Sequence, residues 1–348
     1  MSPGSQTDRR GFLATGAGFV FLSAVGCTPP AVKSQPSSPE PAAGTRTPAV
    51  SVTPTASPST TNPTRTRSSV RVALPTITPW QPNASDVEPA AKLRAVRVIE
   101  AIGSWAAVEG GGVAAAASRV SALGEASSLA REVRLFLDGA SRAVVEVIDA
   151  QYGGILANAA SVLVVCRQWR AGDKSLTQVG TTVDVRLRRV GGTWHVTALY
   201  PAHPGRPAAA LSALAKRVLE NSRIELPPAS AADVRSGQVH DNVLNALTVL
   251  AKQYRIGVSV VRSGHPKYVF GTTRLSDHPR GRAFDTWRID GHAVVDEATP
   301  KSLVVEYMKA AAAAGSYNVG GPYVLSSSGS RFFSDATHHD HVHAGFLS

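Results

Sequence analysis

The sequence predicts an α+β chain with two folded parts carried on a long tether. Three observations lead there. Composition changes abruptly near residue 85; two helical stretches followed by four strand-like segments occupy about 87 to 202; and a second succession of helix, strand and helix follows residue 230. At 348 residues and 43% hydrophobic content the chain exceeds one ordinary domain and has apolar mass for globular cores. Its formal charge of +11 draws it to anionic polymers or lipid headgroups. The two cysteines, Cys27 and Cys166, sit in unrelated contexts, which argues against a disulfide framework. Cys166, inside SVLVVCRQW, reads as a buried small hydrophobe.

Residues 1–27 carry Arg9 and Arg10, then a Gly/Ala-rich apolar run, then small residues before Cys27. The run is too short and too weakly apolar for a membrane span and reads as a secretory leader. Arg9-Arg10 followed by Gly11-Phe12-Leu13 resembles the twin-arginine export signal, and LSAVGC resembles a bacterial lipobox with Ala24 where Leu is usual. The resemblance implies lipidation of Cys27 and anchoring at the outer face of the bacterial cytoplasmic membrane; the alternative is a plain cleaved signal and secretion. Either way nucleic acid lies in the wrong compartment, and no protein partner is inferable.

Residues 28–85 hold roughly half of the 23 prolines, with many Ser and Thr. Such a segment cannot bury enough surface to offset its ordering entropy, so an extended, disordered tether is expected, reaching on the order of 100 Å at about 3 Å per residue.

Residues 86–205 form the first expected domain. VEPAAKLRAVRVIEAIGSWAAV has helical spacing with Pro89 early, and a second Ala-rich helix is predicted over about 112–137. AVVEVIDAQYGG, SVLVVCRQWR, TTVDVRLRRV and TWHVTALYPA then read as strands, Gly191-Gly192 turning the last pair into a hairpin. The pattern is similar to the cone-shaped fold of the nuclear transport factor type. His195 reads as structural, and no acid, base and nucleophile gather here, so this part is expected to be a spacer or binding module. Residues 206–229 are expected to connect, with a helix at 207–222 before Pro227-Pro228.

Residues 230–348 form the second expected domain. HDNVLNALTVLAKQYRI is an amphipathic helix with Leu244, Leu247 and Leu250 near one face, GVSVV a strand, 300–315 a helix opened by Pro300 and closed by Gly315, and HVHAGF a final strand. A small antiparallel sheet is expected.

Most of the ten histidines fall between 265 and 343. In SDHPRGRAFD, His278 and Asp285 flank an insert whose Gly281 lets the backbone turn them together. In THHDHVH, His341 and His343 are two apart and share a strand face. Two nitrogens and one carboxylate oxygen suit a tetrahedral zinc with one position free.

Ser276, His278, Gly281, Ala283 and Asp285, followed by Asp340-His341-Val342-His343, resemble the zinc peptidase family of D-alanyl-D-alanine carboxypeptidases and dipeptidases, phage endolysins and penicillin-insensitive murein endopeptidases. The resemblance covers residues 230–348. It implies Zn2+ held by His278, Asp285 and His343, with Asp340 as catalytic acid/base and His341 assisting. It implies hydrolysis of peptidoglycan stem peptides by a D,D-carboxypeptidase or endopeptidase. The Ser-Gly-Tyr-Arg stretch with which relatives grip a peptide carboxylate reads here Arg262-Ser263-Gly264-His265, so Arg262 or His265, beside Ser276, is expected to bind substrate. Arg274 and Arg282 could attract an acidic stem or be solvated surface charge. The rivals are a non-catalytic zinc-containing wall-binding lipoprotein and a histidine-rich tail that stores metal.

Overall fold

Pro89 opens α1 (Pro89–Gly103), where a missing N–H costs nothing and the fixed φ suits the first turn. The helix buries Ala95, Val96, Ile99 and Ile102 along one stripe. The computed structural model describes residues 72–137, 139–172, 174–325 and 331–347. Cys27, the predicted leader and the predicted tether as far as residue 71 lie outside the described residues. The end of that tether is bound: Trp80 packs on the first core and the Arg142 guanidinium donates to the Val72 carbonyl at 2.7 Å.

The expected second helix is shorter. α2 (Val113–Ala122) stops at Gly124, whose φ of +77° leaves the helical region, and two 3-10 turns, Ser127–Arg131 and Arg134–Phe136, replace the rest. Four antiparallel strands follow in chain order: β1 (Arg142–Leu156), β2 (Ala159–Ala171), β3 (Leu176–Val190) and β4 (Thr193–Pro201). Gly191 and Gly192, at φ +56° and +82°, form the predicted hairpin turn. Val162, Val164 and Cys166 of β2 enter the core under α1, while Leu163 and Val165 pack on the other face against Val260. Both faces are covered, which is why SVLVVC reads as a continuous apolar run.

Ser212 caps α3 (Ala213–Glu220) by accepting from the Ala215 N–H at 3.1 Å. After β5 (Ile224–Glu225) comes α4 (Pro228–Arg235), a helix where the sequence suggested a break; Pro228 stands at its first position. Then follow α5 (Asp241–Leu250), β6 (Ile256–Val260), β7 (Ala283–Ile289), β8 (His292–Ala293), α6 (Lys301–Ala313), β9 (Asn318–Gly320), β10 (Phe332–Phe333) and β11 (Val342–Gly345). The second sheet runs β10-β9-β11-β7-β6-β5, with β8 beside β7. Its pairings are antiparallel except at the two edges, where β10 is parallel to β9 and β5 to β6, so the sheet is mixed rather than wholly antiparallel. Leu244, Leu247 and Leu250 pack with Phe284, Tyr307 and Met308 into its core. The chain is therefore α+β, and both sheets fall within one compact unit, Arg67–Ser348. Among the described residues no helix is long and apolar enough to cross a membrane.

Candidate metal centre

Two strands and a turn bring three donors together. In the ladder between β7 and β11, His343 stands opposite Asp285, so an imidazole and a carboxylate become a cross-strand pair. His278 opens a 3-10 turn, His278–Arg280, ended by Gly281 at φ +71°. A Cβ at Gly281 would strike the Gln238 carbonyl oxygen, so both the conformation and the close approach require glycine.

His278 Nε2 lies 3.1 Å from Asp285 Oδ1 and 3.2 Å from His343 Nδ1, and those two atoms are 3.0 Å apart. Ligands about 2.0–2.1 Å from a tetrahedral zinc are about 3.3 Å from one another, so the triangle has the size of one face of such a site. His278 Nδ1 lies 2.9 Å from the Val261 carbonyl, which can only accept, so Nδ1 donates there and Nε2 is the ring nitrogen that faces the triangle and would be offered to a metal. Burial lowers the His343 pKa to about 4 against the pull of Asp285, which keeps this ring neutral and able to ligate. Burial would raise the Asp285 carboxyl, but His278 and His341 outweigh it and hold it well below the usual range.

His265 joins the cluster: its donor atoms, with those of His278 and Asp285, lie within 4.8 Å of one another, a group that could hold a metal ion. Two overlapping sets thus share His278 and Asp285. The tighter one contains His343. The His265 ring stacks on His278 with centroids 4.1 Å apart and planes 18° apart, so their in-plane lone pairs run side by side instead of converging; the His278 and His343 planes differ by 56°. Ser276 Oγ is 3.3 Å from His265 Nδ1 and accepts from the His278 N–H at 3.4 Å, bracing the turn.

Arg262 is not brought to the site. Its guanidinium lies 3.6 Å from buried Asp233 and 3.4 Å from the Pro204 carbonyl, and it does not line the cavity. Arg274 is the arginine on the wall of the metal cavity. Asp340 is also turned away: its Oδ1 accepts from His341 Nδ1 at 2.6 Å, and its Oδ2 accepts from Lys92 Nζ at 2.6 Å and from the Tyr152 N–H at 3.0 Å. It does not line the cavity, whereas His341 does, with Nε2 3.8 Å from Asp285 Oδ2. Burial would lower the His341 pKa, but Asp285 and Asp340 outweigh it and raise it above the ordinary imidazole value.

The cavity in front of the triangle measures about 620 Å³. Phe270 and Phe333, together with Tyr152, Ile155 and Leu156 of β1, form part of its wall, and Phe270 packs on Gly154 of β1. His338, held by Asp335 at 2.7 Å, also lines it, while His339 lies 2.9 Å from the Ser85 carbonyl. The first sheet and the segment before α1 therefore reach the site, which the sequence reading of this part as a spacer or binding module did not anticipate. Gln151 Nε2 donates to Asp285 Oδ2 at 2.7 Å, and Ser259 Oγ donates to Gln151 Oε1. Lys92 pairs with Asp86 as well as Asp340. Their trace in the sequence was faint: Lys92 lies on the apolar stripe of α1, and Gln151 interrupts an apolar strand.

No protein-family model, curated protein or solved structure matches the chain.

Proposed function

We propose that this protein is a zinc-dependent peptidase acting on peptide stems of bacterial peptidoglycan. The observation that carries the reading is the triangle of His278 Nε2, Asp285 Oδ1 and His343 Nδ1, with sides of 3.0 to 3.2 Å, opening on a cavity of about 620 Å³. The motif resemblance over residues 230–348 and the export signals in the leader support the substrate class.

Zinc held by such a set supplies Lewis acidity and lowers the pKa of water towards 7. The chain's own contribution is proton handling and orientation. Asp340, with both oxygens occupied by donors, holds the His341 Nδ1 proton and so turns Nε2 towards the cavity. His341 is then the group able to take a proton from the attacking water and return it to the leaving amine, with Asp340 as its positioning residue. Arg274, and not Arg262, is available on the wall to meet a substrate carboxylate. His265 roofs His278 and narrows the approach beside it.

The test is digestion of isolated peptidoglycan by the full chain without its leader, with zinc and with a chelator, the products weighed by mass spectrometry. Loss of a terminal D-alanine or opening of a cross-link with zinc alone supports the reading. Stoichiometric zinc without cleavage of any wall chemotype would transfer the chain to the non-catalytic wall-binding class.

A further inference from the structure

The contact between the two sheets is partly apolar and partly polar. A spacer needs only a surface that packs, and one apolar cluster supplies it: Leu163 and Val165 of β2 meet Val260. Beside this cluster, where Gln151 stands opposite Leu163 in the ladder, buried polar groups of β1 and α1 meet Asp285 and Asp340. Burying an amide and an ammonium is costly unless each finds partners. Here the partners belong to the other domain.

Gln151 stands on β1 between Ala150 and Tyr152, which face the first core, so its own side chain leaves by the opposite face towards Asp285. The two oxygens of Asp285 are thereby made unequal. Oδ1 faces His278 Nε2 and His343 Nδ1; Oδ2 accepts from Gln151 Nε2 at 2.7 Å. A carboxylate tied in this way offers one oxygen to a metal and is held against swinging to offer two. Ser259, on β6, donates to Gln151 Oε1 and so fixes which end of the amide meets Asp285. Lys92 plays the corresponding part for Asp340. Only 2% exposed, its ammonium lies 2.6 Å from Asp340 Oδ2 and packs over the Tyr152 ring, whose residue gives its N–H to the same oxygen.

We infer that the first domain is a working half of the metal centre, with Gln151 as the positioning residue that holds Asp285 in one-oxygen ligation and Lys92 as the counter-ion that holds Asp340 against His341. The inference rests on the metal reading above and adds that residues 230–348 by themselves do not carry a complete site. Outer partners of metal ligands typically contribute about 10- to 100-fold in metal affinity.

The test measures zinc affinity of the full chain without its leader by competition with a chromophoric chelator, and the visible absorption of the cobalt(II)-substituted protein. Gln151→Leu keeps the volume and removes the donor. We expect zinc affinity about 10- to 100-fold weaker and cobalt bands weakened and shifted as the freed carboxylate rotates. Gln168→Leu is the comparison. It removes another buried glutamine of the same sheet, one that donates to the Gly103 and Phe136 carbonyls at 2.7 and 3.0 Å, far from the metal ligands in its bonding. It is expected to lower the thermal midpoint and leave zinc affinity unchanged. Should Gln151→Leu fail to fold, Ser259→Ala, which frees the Gln151 amide, decides in its place with an expected several-fold loss. Unchanged affinity and an unchanged cobalt spectrum in the folded variant overturn the inference while leaving the metal reading intact. A parent chain that retains no zinc overturns the metal reading itself.

Discussion

Lys92 occupies a position where the stripe of α1 calls for an apolar side chain, and its burial is understood only through the carboxylates around it. Burial alone would lower its pKa; Asp340 and Asp86 outweigh that and hold it above the ordinary lysine value. Asp149 shares this pocket but fares differently. Burial pushes its pKa up to about 7 against the pull of Lys92, and one of its oxygens is buried without a hydrogen-bond partner. A carboxyl in that state is neutral in the folded protein up to about pH 7, whereas the unfolded chain gives up the proton near about pH 4. The unfolded state thus binds fewer protons in between, stability falls as pH rises through that window, and it levels off above it. Asp149→Asn is always neutral. Urea unfolding of the metal-free protein is expected to show little gain from Asp149→Asn at pH 4 and a gain on the order of 3 kcal/mol at pH 8. An equal increment at both pH values would mean that the native carboxyl is ionised and solvated.

At the scale of elements, the turn from His278 to Gly281 is the most demanding piece of the site. Gly281 has φ +71°, and any Cβ there meets the Gln238 carbonyl, a backbone atom that cannot rotate aside. Gly291, at φ +89°, has open space around the corresponding position. Gly281→Ala is expected to cost about 2 kcal/mol or more and to weaken zinc binding by tilting His278; Gly291→Ala should cost only the backbone strain, about 1 kcal/mol, and leave zinc binding alone. Chelator competition and thermal unfolding of the two variants measure both quantities. Much of this level was legible in the sequence. The strands of the first sheet announced themselves through alternation and the Gly191-Gly192 turn, and α5 through Leu244, Leu247 and Leu250. α4 was hidden because Pro227-Pro228 reads equally as a break and as a helix start. The paired edges β5, β8 and β10 are too short for any periodicity, since a two-residue bridge is defined by its partner. The cluster of His278, Asp285 and His343 was visible because its residues sit in two tight local contexts. Gln151 was not, because it reaches Asp285 across 134 positions of chain and local spacing records nothing of such a contact. Nor did spacing foretell that Arg262 would be held by Asp233 and Asp340 by Lys92, since both partners come from distant segments.

For the molecule as a whole, the question is whether the two sheets respond to the metal as one body. The donors of the site come from β7 and β11 of the second sheet and from the turn before β7. If the first domain were only attached, metal binding would slow amide exchange in those elements and leave β1 as it was. With Gln151 on Asp285 and with Lys92 and the Tyr152 N–H on Asp340, opening β1 breaks the surroundings of the site, so ligand binding opposes that opening too. Zinc at about 100 times its dissociation constant stabilises the bound state by about 2.7 kcal/mol, which corresponds to about a hundredfold slowing of every amide whose exchange requires the site to open. Hydrogen exchange of the full chain, with and without zinc, is expected to show that slowing at residues 149–152 as well as at 276–285 and 340–345. The sheet's far strand, β4, is the internal reference, because local opening there leaves the site untouched and its slowing is expected to be smaller. Protection confined to 276–285 and 340–345 would mean that the site is complete within the second domain and that the polar contacts from β1 and α1 only hold the domains in place.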